Sequence, residues 1–332
     1  MDSARSLLVH SLHDFAKSRL IISDSVYKQW VFRYTFLELE KDLGERGDIT
    51  TEALFSENDE CRARLVTRES GVVAGMQEVL YFLRDADSRF RPRVRHIDVI
   101  LLKNDGDVVA AGDVLLELRG RTRDMLAMER VLVNLVARMS GVATMTRAFV
   151  ERMSSTFSQN ESPVFLTATR KTLWGLLDKR AVCVGGGFPH RLNLEDAILV
   201  KDNHLALFQG EISAVLEKIA SFDGEQRFLE IEVESVAQAL SVASSVQRIH
   251  AHGSTKPIFL LLDNMSPMQI CETVELLKKG KLYDEVFLEA SGGITLENIS
   301  EFAKTGVDVI SSGSLTTNAR NLDLSLEVSV SD

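Results

Sequence analysis

The stretch FLEIEVESVAQALSVASS, residues 228–245, changes its hydrophobic period once and thereby decides the fold. From residue 228 to residue 234, carboxylates alternate with apolar side chains at a period of two, which is typical of a strand. These carboxylates are Glu230, Glu232 and Glu234. Residues 236–244 then predict a helix, and the apolar run 258–262 predicts the next strand. A strand, a helix and a second strand in this order indicate a parallel sheet.

The same alternation runs through the second half of the chain and predicts an α/β barrel. We predict strands at residues 164–167, 181–184, 197–200, 228–234, 258–262, 286–290 and 307–310. Helices are predicted between the later strands, at residues 212–221, 236–244, 268–279 and 296–304. About seven parallel strands suffice to close most of a barrel, and the carboxyl ends of such strands converge on one functional face.

The first half of the chain has a different rhythm and predicts a separate domain. Residues 4–21 predict an amphipathic helix, and residues 26–39 predict a second core-facing segment; an interaction surface for a partner subunit is the alternative. Asp48 or Thr50 is a candidate helix cap. The remaining predictions are a strand at 62–67, a helix at 76–84, a hairpin of 94–103 with 108–119, and a helical stretch at 122–153 that Ser140 and Gly141 divide.

The stretch GDVVAAGDVLLEL, residues 106–118, leaves a carrier domain of the lipoyl or biotinyl type as an alternative for this half. Such a carrier displays a lysine at the tip of a hairpin. The candidate turn, residues 110–112, contains none. A plain β-sheet domain therefore accounts better for the pattern.

Composition excludes several classes of protein. The net charge of −10 disfavours a nucleic-acid partner, and the lack of an apolar run of membrane-spanning length argues against a transmembrane protein. Three scattered cysteines do not form a disulfide framework and fit a reducing compartment, so we expect a cytoplasmic protein. The N-terminal residues carry too many charges for the apolar core of a signal peptide.

Polar residues follow the predicted strands one after another, and cations dominate the first of these segments. The segment 169–204 contains Arg170, Lys171, Arg180, His190, Arg191, Lys201 and His204 around the glycine triplet 185–187. Later strands end in Glu232 and Glu234, Asp263 and Asn264, Glu289 with Ser291, Gly292 and Gly293, and Ser312, Gly313 and Ser314. Because these ends converge in an α/β barrel, we predict an anion-binding active site there.

Each set has a chemical interpretation and a purely structural one. Glycine-rich loops admit close approach of a phosphate to backbone amides, although they also form simple tight turns. Glu232, Glu234 and Asp263 suit magnesium, or a buried ion-pair network with Lys201 or Arg170. His190 and His204 are candidate acid–base groups, or hydrogen-bond donors to a carboxylate of the ligand. A solvated or ion-paired side chain is the default for Arg130.

The order of these motifs resembles that of the quinolinate phosphoribosyltransferases, also called carboxylating nicotinate-nucleotide pyrophosphorylases. The resemblance rests on TRKT at 169–172, GGGFPHR at 185–191, KDNH at 201–204, GDITT at 47–51, Glu129-Arg130 with Asn134, EIEVE at 230–234, LLDN at 261–264, EASGGIT at 289–295 and Gly313. It covers nearly the whole chain after about residue 35.

The resemblance implies an N-terminal α/β sandwich domain, residues 1–128 joined by the tail 322–332, and an incomplete seven-stranded (β/α) barrel, residues 129–321. It also implies a homodimer, or an assembly of dimers, in which Arg130 reaches into the active site of the neighbouring subunit. Arg130 thereby changes from a default surface cation to a candidate substrate ligand.

The implied reaction joins quinolinate to phosphoribosyl pyrophosphate and releases nicotinate mononucleotide, pyrophosphate and carbon dioxide, a step of NAD synthesis. By resemblance, quinolinate is bound by Arg130, Arg170, His190, Arg191 and Lys201. Lys171, Lys201, Glu232 and Asp263 are the catalytic candidates, and Glu232 or Glu234 with Asp263 binds ribose and a substrate-borne Mg²⁺. The 5′-phosphate is assigned to Ser291, Gly292, Gly293, Ser312, Gly313 and Ser314. Thr169, which precedes Arg170, is a further substrate-binding candidate.

Two segments depart from the family pattern. Residues 173–177, LWGLL, stand where the family has Thr-Pro-Gly and an arginine, and Thr317-Asn318 replace a histidine and a serine. Trp174 could therefore reshape the pocket. Two alternatives follow: a phosphoribosyltransferase for another pyridine carboxylate such as nicotinate, and a non-catalytic relative that binds an anion.

Overall fold

The computed structural model describes residues 2–90, 97–156, 163–222, 224, 226–251 and 256–330. Its helices are α1 (Asp2–Ser18), α2 (Ser25–Leu43), α3 (Ile49–Leu54), α4 (Met76–Phe90), α5 (Thr122–Ser154), α6 (Leu176–Gly185), α7 (Asp202–Leu207), α8 (Ile212–Ala220), α9 (Val236–Ala251), α10 (Pro267–Lys279), α11 (Ile299–Ala303) and α12 (Ser314–Thr317), with a 3₁₀ turn at Tyr283–Glu285. Its strands are β1 (Glu60–Thr67), β2 (Gly71–Val72), β3 (Asp98–Leu101), β4 (Val108–Val109), β5 (Val114–Arg121), β6 (Phe165–Thr167), β7 (Ile198–Val200), β8 (Leu229–Val233), β9 (Ile258–Asp263), β10 (Phe287–Ser291), β11 (Val309–Ser311) and β12 (Leu324–Val330).

The chain forms two compact units, each assembled from separated segments. The barrel unit comprises Met1–Ala16, Ala148–Lys171 and Gly187–Ser314, and the antiparallel unit comprises Lys17–Arg147, Thr172–Gly186 and Leu315–Asp332. This division differs from the sequence-based boundary at residue 128, which falls inside the continuous helix α5. It also differs at the start of the chain, because residues 1–16 belong to the barrel unit.

The barrel unit is built on a parallel sheet in the order β6-β11-β10-β9-β8-β7, as the alternation of strands and helices predicts. A parallel bridge between Thr167 and Phe188 adds one more contact at the free edge of β6. Phe188 thus occupies the place of the second predicted strand, and the partial barrel agrees with the predicted fold class.

The predicted strand at residues 181–184 is wrong, because these residues lie in α6. Nearly all of α6 is buried, so its apolar run carries no polar face that distinguishes a helix from a strand. Helix α6 ends at Gly186, whose φ of 103° is a left-handed conformation that glycine adopts without strain.

The predicted division of the long helix at Ser140 and Gly141 is also wrong, because α5 continues through both residues. The Ser140 hydroxyl accepts a hydrogen bond from the amide of Ala74 at 3.0 Å. A Cβ atom at Gly141 would lie 2.0 Å from the carbonyl oxygen of Arg320. Glycine therefore permits close packing here and does not break the helix.

The antiparallel unit contains a four-stranded sheet in the order β12-β1-β5-β3. Strand β3 pairs antiparallel with β5, as predicted, whereas β4 pairs with β2 in a separate two-stranded sheet. Residues 94–96 of the predicted hairpin lie outside the described residues. Strand β12, from the tail, pairs with β1 from Cys61–Val330 to Thr67–Leu324. Asp48 caps α3 by accepting from the amides of Thr50 and Thr51.

Helix α1 packs on the barrel unit through its apolar face. Val9 lies in one buried cluster with Phe228, Phe259 and Val309, residues at or next to the beginnings of strands. Arg5 forms an ion pair with Asp308 at 2.6 Å, and its guanidinium also donates to two backbone carbonyls, those of Tyr283 and Val286. Helix α1 therefore covers the amino-terminal end of the parallel sheet. None of the described helices is long and apolar enough to cross a membrane.

Candidate active site

The residues after β6 form the first wall of the candidate site. The backbone amide of Lys171 donates to the hydroxyl of Thr169 at 3.1 Å, which turns the chain directly after the strand. Arg170 and Lys171 are exposed. A Cβ atom at Gly313 would lie 3.4 Å from Cδ of Lys171 and 3.6 Å from the Thr169 hydroxyl. The loop after β11 therefore lies directly against this cationic segment.

Lys201, Glu232 and Asp263 stand at the carboxyl ends of three adjacent strands. The ammonium of Lys201, which follows β7, lies 3.2 Å from Oε2 of Glu232 on β8. Burial raises the pKa of Asp263 at the end of β9, while Lys201 and Lys171 oppose that rise. The same side chain senses the negative charge of Glu234, which is exposed beyond β8. Cations and carboxylates are therefore interleaved along this edge.

Two glycine-rich loops, which follow β10 and β11, also lie at the carboxyl ends of the strands and are joined by hydrogen bonds. The hydroxyls of Ser312 and Ser314 both donate to the carbonyl of Ile294, at 2.7 and 3.2 Å. Gly292 has a φ of 93°, and a Cβ atom there would lie 2.2 Å from Oδ1 of Asn264. Only glycine fits this position, so the loop after β10 is held close to the end of β9.

Next to Ser291 and Gly292, Gly293 has a φ of 62°, and its carbonyl accepts a hydrogen bond from the side-chain amide of Asn298. The three residues 291–293 and the three residues 312–314 thus form two short loops with small side chains. Such loops leave room for a phosphate between backbone amides.

Arg170 and Arg191 bring two like charges near each other. Arg191 is buried and donates to the carbonyl of Ala197 at 3.2 Å. Burial lowers the pKa of Arg191, and the charge of Arg170 lowers it further. Because the two guanidinium groups repel each other, the arrangement favours a bound anion with several charges.

His190 is buried between two carboxylates. Its Nε2 atom lies 3.3 Å from Oε2 of Glu230 and 3.3 Å from Oε2 of Glu289. Burial disfavours protonation, but these two carboxylates outweigh it and raise the pKa of His190 to about 9. The three ligand atoms lie within 4.8 Å of one another, a spacing that a proton or a small metal ion can bridge.

The sequence predicts Glu230 and Glu289 on strands of the barrel but assigns neither of them a role, and it does not predict His13 near the site. The ring of His13 on α1 lies 5.8 Å from that of His190, centroid to centroid. The available signal was its position four residues after Val9, on the apolar face of the predicted helix.

Arg130 lies in the antiparallel unit, on α5. Its side chain is 65% exposed, and its guanidinium is 3.8 Å from the carboxylate of the neighbouring Glu129. Residues 173–177, which differ from the family pattern, also lie in this unit.

The ring of Trp174 stacks on Tyr34 with centroids 4.7 Å apart, and a Cβ atom at Gly175 would overlap the ring of Trp30. Packing against α2 therefore explains the unusual loop sequence.

Together these features define an α/β-barrel protein with a candidate anion-binding site at the carboxyl ends of its strands. Two family models match the chain: the N-terminal domain of quinolinate phosphoribosyl transferase over residues 48–140 and its C-terminal domain over residues 142–327. The chain belongs to the quinolinate phosphoribosyltransferase family.

Relatives and solved structures agree with this assignment. The chain is 40% identical over 283 residues to a probable carboxylating nicotinate-nucleotide pyrophosphorylase of Methanothermobacter thermautotrophicus, covering 85% of this chain and 93% of that protein. A similarly named Bacillus subtilis protein is 33% identical over 304 residues, 91% of this chain and 93% of the relative. The crystal structure of NadC from Streptococcus pyogenes matches with a TM-score of 0.74 at 32% identity, over 90% of this chain and 97% of that one.

Proposed function

We propose that this protein transfers a phosphoribosyl group from phosphoribosyl pyrophosphate to quinolinate, with decarboxylation, in the synthesis of NAD. The observation that supports the proposal most directly is the row of Lys171, Lys201, Glu232 and Asp263 along one edge of the parallel sheet. Family membership supports the same reaction, since the relatives are named for it.

The two substrates are both polyanions, and the cations are distributed accordingly. We assign the two carboxylates of quinolinate to Arg170, His190, Arg191 and Lys201, with Arg130 supplied by a second subunit. The crowding of Arg170 and Arg191 supports this assignment, because an anion between them relieves their repulsion. A shared site requires a homodimer or a higher assembly of dimers, and the exposure of Arg130 fits that requirement.

Phosphoribosyl pyrophosphate fits the remaining groups. The loops 291–293 and 312–314 are suited to the 5′-phosphate, and Glu232 with Glu234 and Asp263 to the ribose hydroxyls. A substrate-borne Mg²⁺ fits this donor set, because Glu232 and Asp263 offer hard carboxylate oxygens and Asp263 is only half-buried. When bound, that ion neutralises charge on the pyrophosphate leaving group.

The chemistry then follows from the charges. The pyridine nitrogen attacks the anomeric carbon of the ribose while the bond to pyrophosphate breaks, and Lys171 and Lys201 stabilise the departing oxygens. Glu232 and Asp263 stabilise the positive charge that develops on the ribose. The 2-carboxylate leaves as carbon dioxide, its electron pair remains on the ring carbon beside the new pyridinium nitrogen, and a proton replaces it.

A substrate panel tests the proposal. Purified protein incubated with quinolinate, phosphoribosyl pyrophosphate and Mg²⁺ should release one nicotinate mononucleotide per carbon dioxide, and a chelator should stop turnover. Activity with nicotinate but not quinolinate would show a different substrate. Tight binding of phosphoribosyl pyrophosphate by calorimetry without any turnover would show a non-catalytic relative.

Mixing two inactive variants tests the shared site. Arg130→Ala and Lys171→Ala should each abolish turnover, and a mixture should recover part of it through hybrid dimers. No recovery after verified subunit exchange would contradict the dimer proposal. We further propose a cytoplasmic location, which the free thiols of Cys61 and Cys183 support.

A further inference from the structure

The environment of His190 contains more charge than a structural histidine requires. Glu230 belongs to β8 and Glu289 to β10, and β9 lies between these strands, so the two carboxylates reach one imidazole from both sides. Both carboxylates are 1% exposed or less. The backbone of His190 has a φ of 55°, a left-handed conformation that a non-glycine residue adopts only when its surroundings impose it.

The contacts are ionic in character. Neither oxygen of Glu230 makes a well-aligned hydrogen bond within the described part of the chain, and the same holds for Oε2 of Glu289. What each carboxylate does have is the charge of His190 at 3.3 Å. A neutral imidazole would remove the positive charge that lies closest to both buried carboxylates, which is unfavourable. The geometry therefore favours an imidazolium.

The two carboxylates differ in their response to the imidazolium. Burial raises the pKa of Glu230 to about 7, and the charge of Glu289 adds to that rise. Burial also disfavours ionisation of Glu289, but His190 lowers its pKa. Glu289 is thus the carboxylate that the charge of His190 keeps ionised.

Helix α1 closes the other side of the ring. His13 is 1% exposed, and both of its ring nitrogens lack a hydrogen-bond partner among the described residues. Burial lowers the pKa of His13 to about 3, and the charge of His190 contributes, so this ring is neutral. The charged or titratable groups around the two rings are Glu230, Glu289, Arg191, Asp196 and Arg227.

We propose that Glu230 and Glu289 are positioning residues that fix His190 as an imidazolium through Nε2, which leaves Nδ1 to bind a carboxylate of the pyridine substrate. His13 serves this arrangement by excluding water from behind the ring. This inference rests on the proposed function for the identity of the ligand, but the state of His190 is independent of it.

NMR of ¹³C-labelled histidine tests the state of His190 in the free protein, with assignment by His190→Gln. The ring should remain protonated up to about pH 9 in the wild type. In Glu289→Gln its pKa should fall by one unit or more, about a tenfold loss of proton affinity. Glu289→Asp, which keeps the charge, should restore most of the shift. Glu285→Gln, which removes the carboxylate from the separate His250–Glu285 pair, is the matched control and should leave His190 unchanged.

Substrate kinetics test the consequence. In Glu289→Gln the KM for quinolinate should rise about twofold or more at pH 8, where at least half of His190 has become neutral, and much less at pH 6, while kcat changes less than KM. A wild-type His190 that titrates near its ordinary pKa, a KM ratio that does not depend on pH, or a stoichiometric bound metal that Glu289→Gln releases would each overturn the proposal. Failure of turnover with an intact high pKa of His190 would instead refute the proposed function.

Discussion

Replacing Asp178 by alanine should strongly destabilise the antiparallel unit. Asp178 is fully buried on α6 and accepts two hydrogen bonds from the guanidinium of Arg138, each 2.9 Å long. The same carboxylate accepts from the amides of Leu173 and Trp174, at 2.8 and 3.0 Å. One side chain therefore neutralises a buried cation and also anchors the loop that contains Leu173 and Trp174.

The expected cost follows from what remains after the substitution. Arg138 is 4% exposed, and its other described acceptors are the carbonyls of Thr316 and Ala319. Removing one partner of a buried ion pair leaves an uncompensated charge, which costs about 3–5 kcal/mol of the free energy of unfolding. With a urea dependence of about 3 kcal/mol per M, this corresponds to a midpoint about 1 M lower or more.

Tryptophan fluorescence is the appropriate assay, because the two tryptophans, Trp30 and Trp174, both lie where the loop packs on α2. Glu117→Ala is the matched control: it removes the partner of Arg64 from an exposed 2.9 Å ion pair and should cost less than about 1 kcal/mol. If Asp178→Ala and Glu117→Ala shift the midpoint equally, the buried pair does not stabilise this unit as the structure implies.

Three further predictions concern other parts of the molecule. Lys201→Met should lower kcat about 100-fold or more, since it removes a cation that stabilises the leaving group; initial rates retaining half the wild-type value would contradict this. Burial raises the pKa of Glu78, in contact with the Tyr27 hydroxyl, to about 7. Protonation is therefore favoured in the folded state, and stability should fall by up to about 3 kcal/mol as pH rises from the ordinary carboxyl pKa to 7. Urea titrations at pH 5 and pH 8 should show this loss in the wild type and not in Glu78→Gln. Arg5→Ala, which leaves the partly buried Asp308 without its cation, should lower the stability of the barrel unit by about 3 kcal/mol; protection of the β11 amides from hydrogen exchange measures it.

The parallel sheet was predictable from the sequence because its strands alternate regularly with helices. The position of the candidate site was predictable for the same reason. Lys201, Glu232 and Asp263 lie at the ends of predicted strands, and the carboxyl ends of parallel strands lie on one side of the sheet. Their proximity needed no knowledge of side-chain packing. Their roles in the reaction stay predictions.

Features that depend on long-range packing were not predictable. The run at 181–184 is apolar on every side because α6 is buried, so its period gave no signal. The sequence predicts a helix break at Gly141, whereas the structure shows that the close carbonyl oxygen of Arg320 requires glycine there. The sequence places His13 on the apolar face of the predicted helix, but its contact with His190 is defined only where α1 meets the parallel sheet.

The pairing of β12 with β1 has a consequence for how the chain folds. Val330 lies opposite Cys61, so the edge of the four-stranded sheet is completed by a segment that is synthesised long after β1. Residues 2–16 in turn pack against strands of the barrel unit that are synthesised much later. Closing such long loops is entropically costly and slow, so early-synthesised strands expose an unpaired edge during translation. Because each unit is assembled from separated segments, dividing the chain at any one of the boundaries between them yields two incomplete fragments. Co-expression of the two fragments should restore folded protein that neither fragment forms alone.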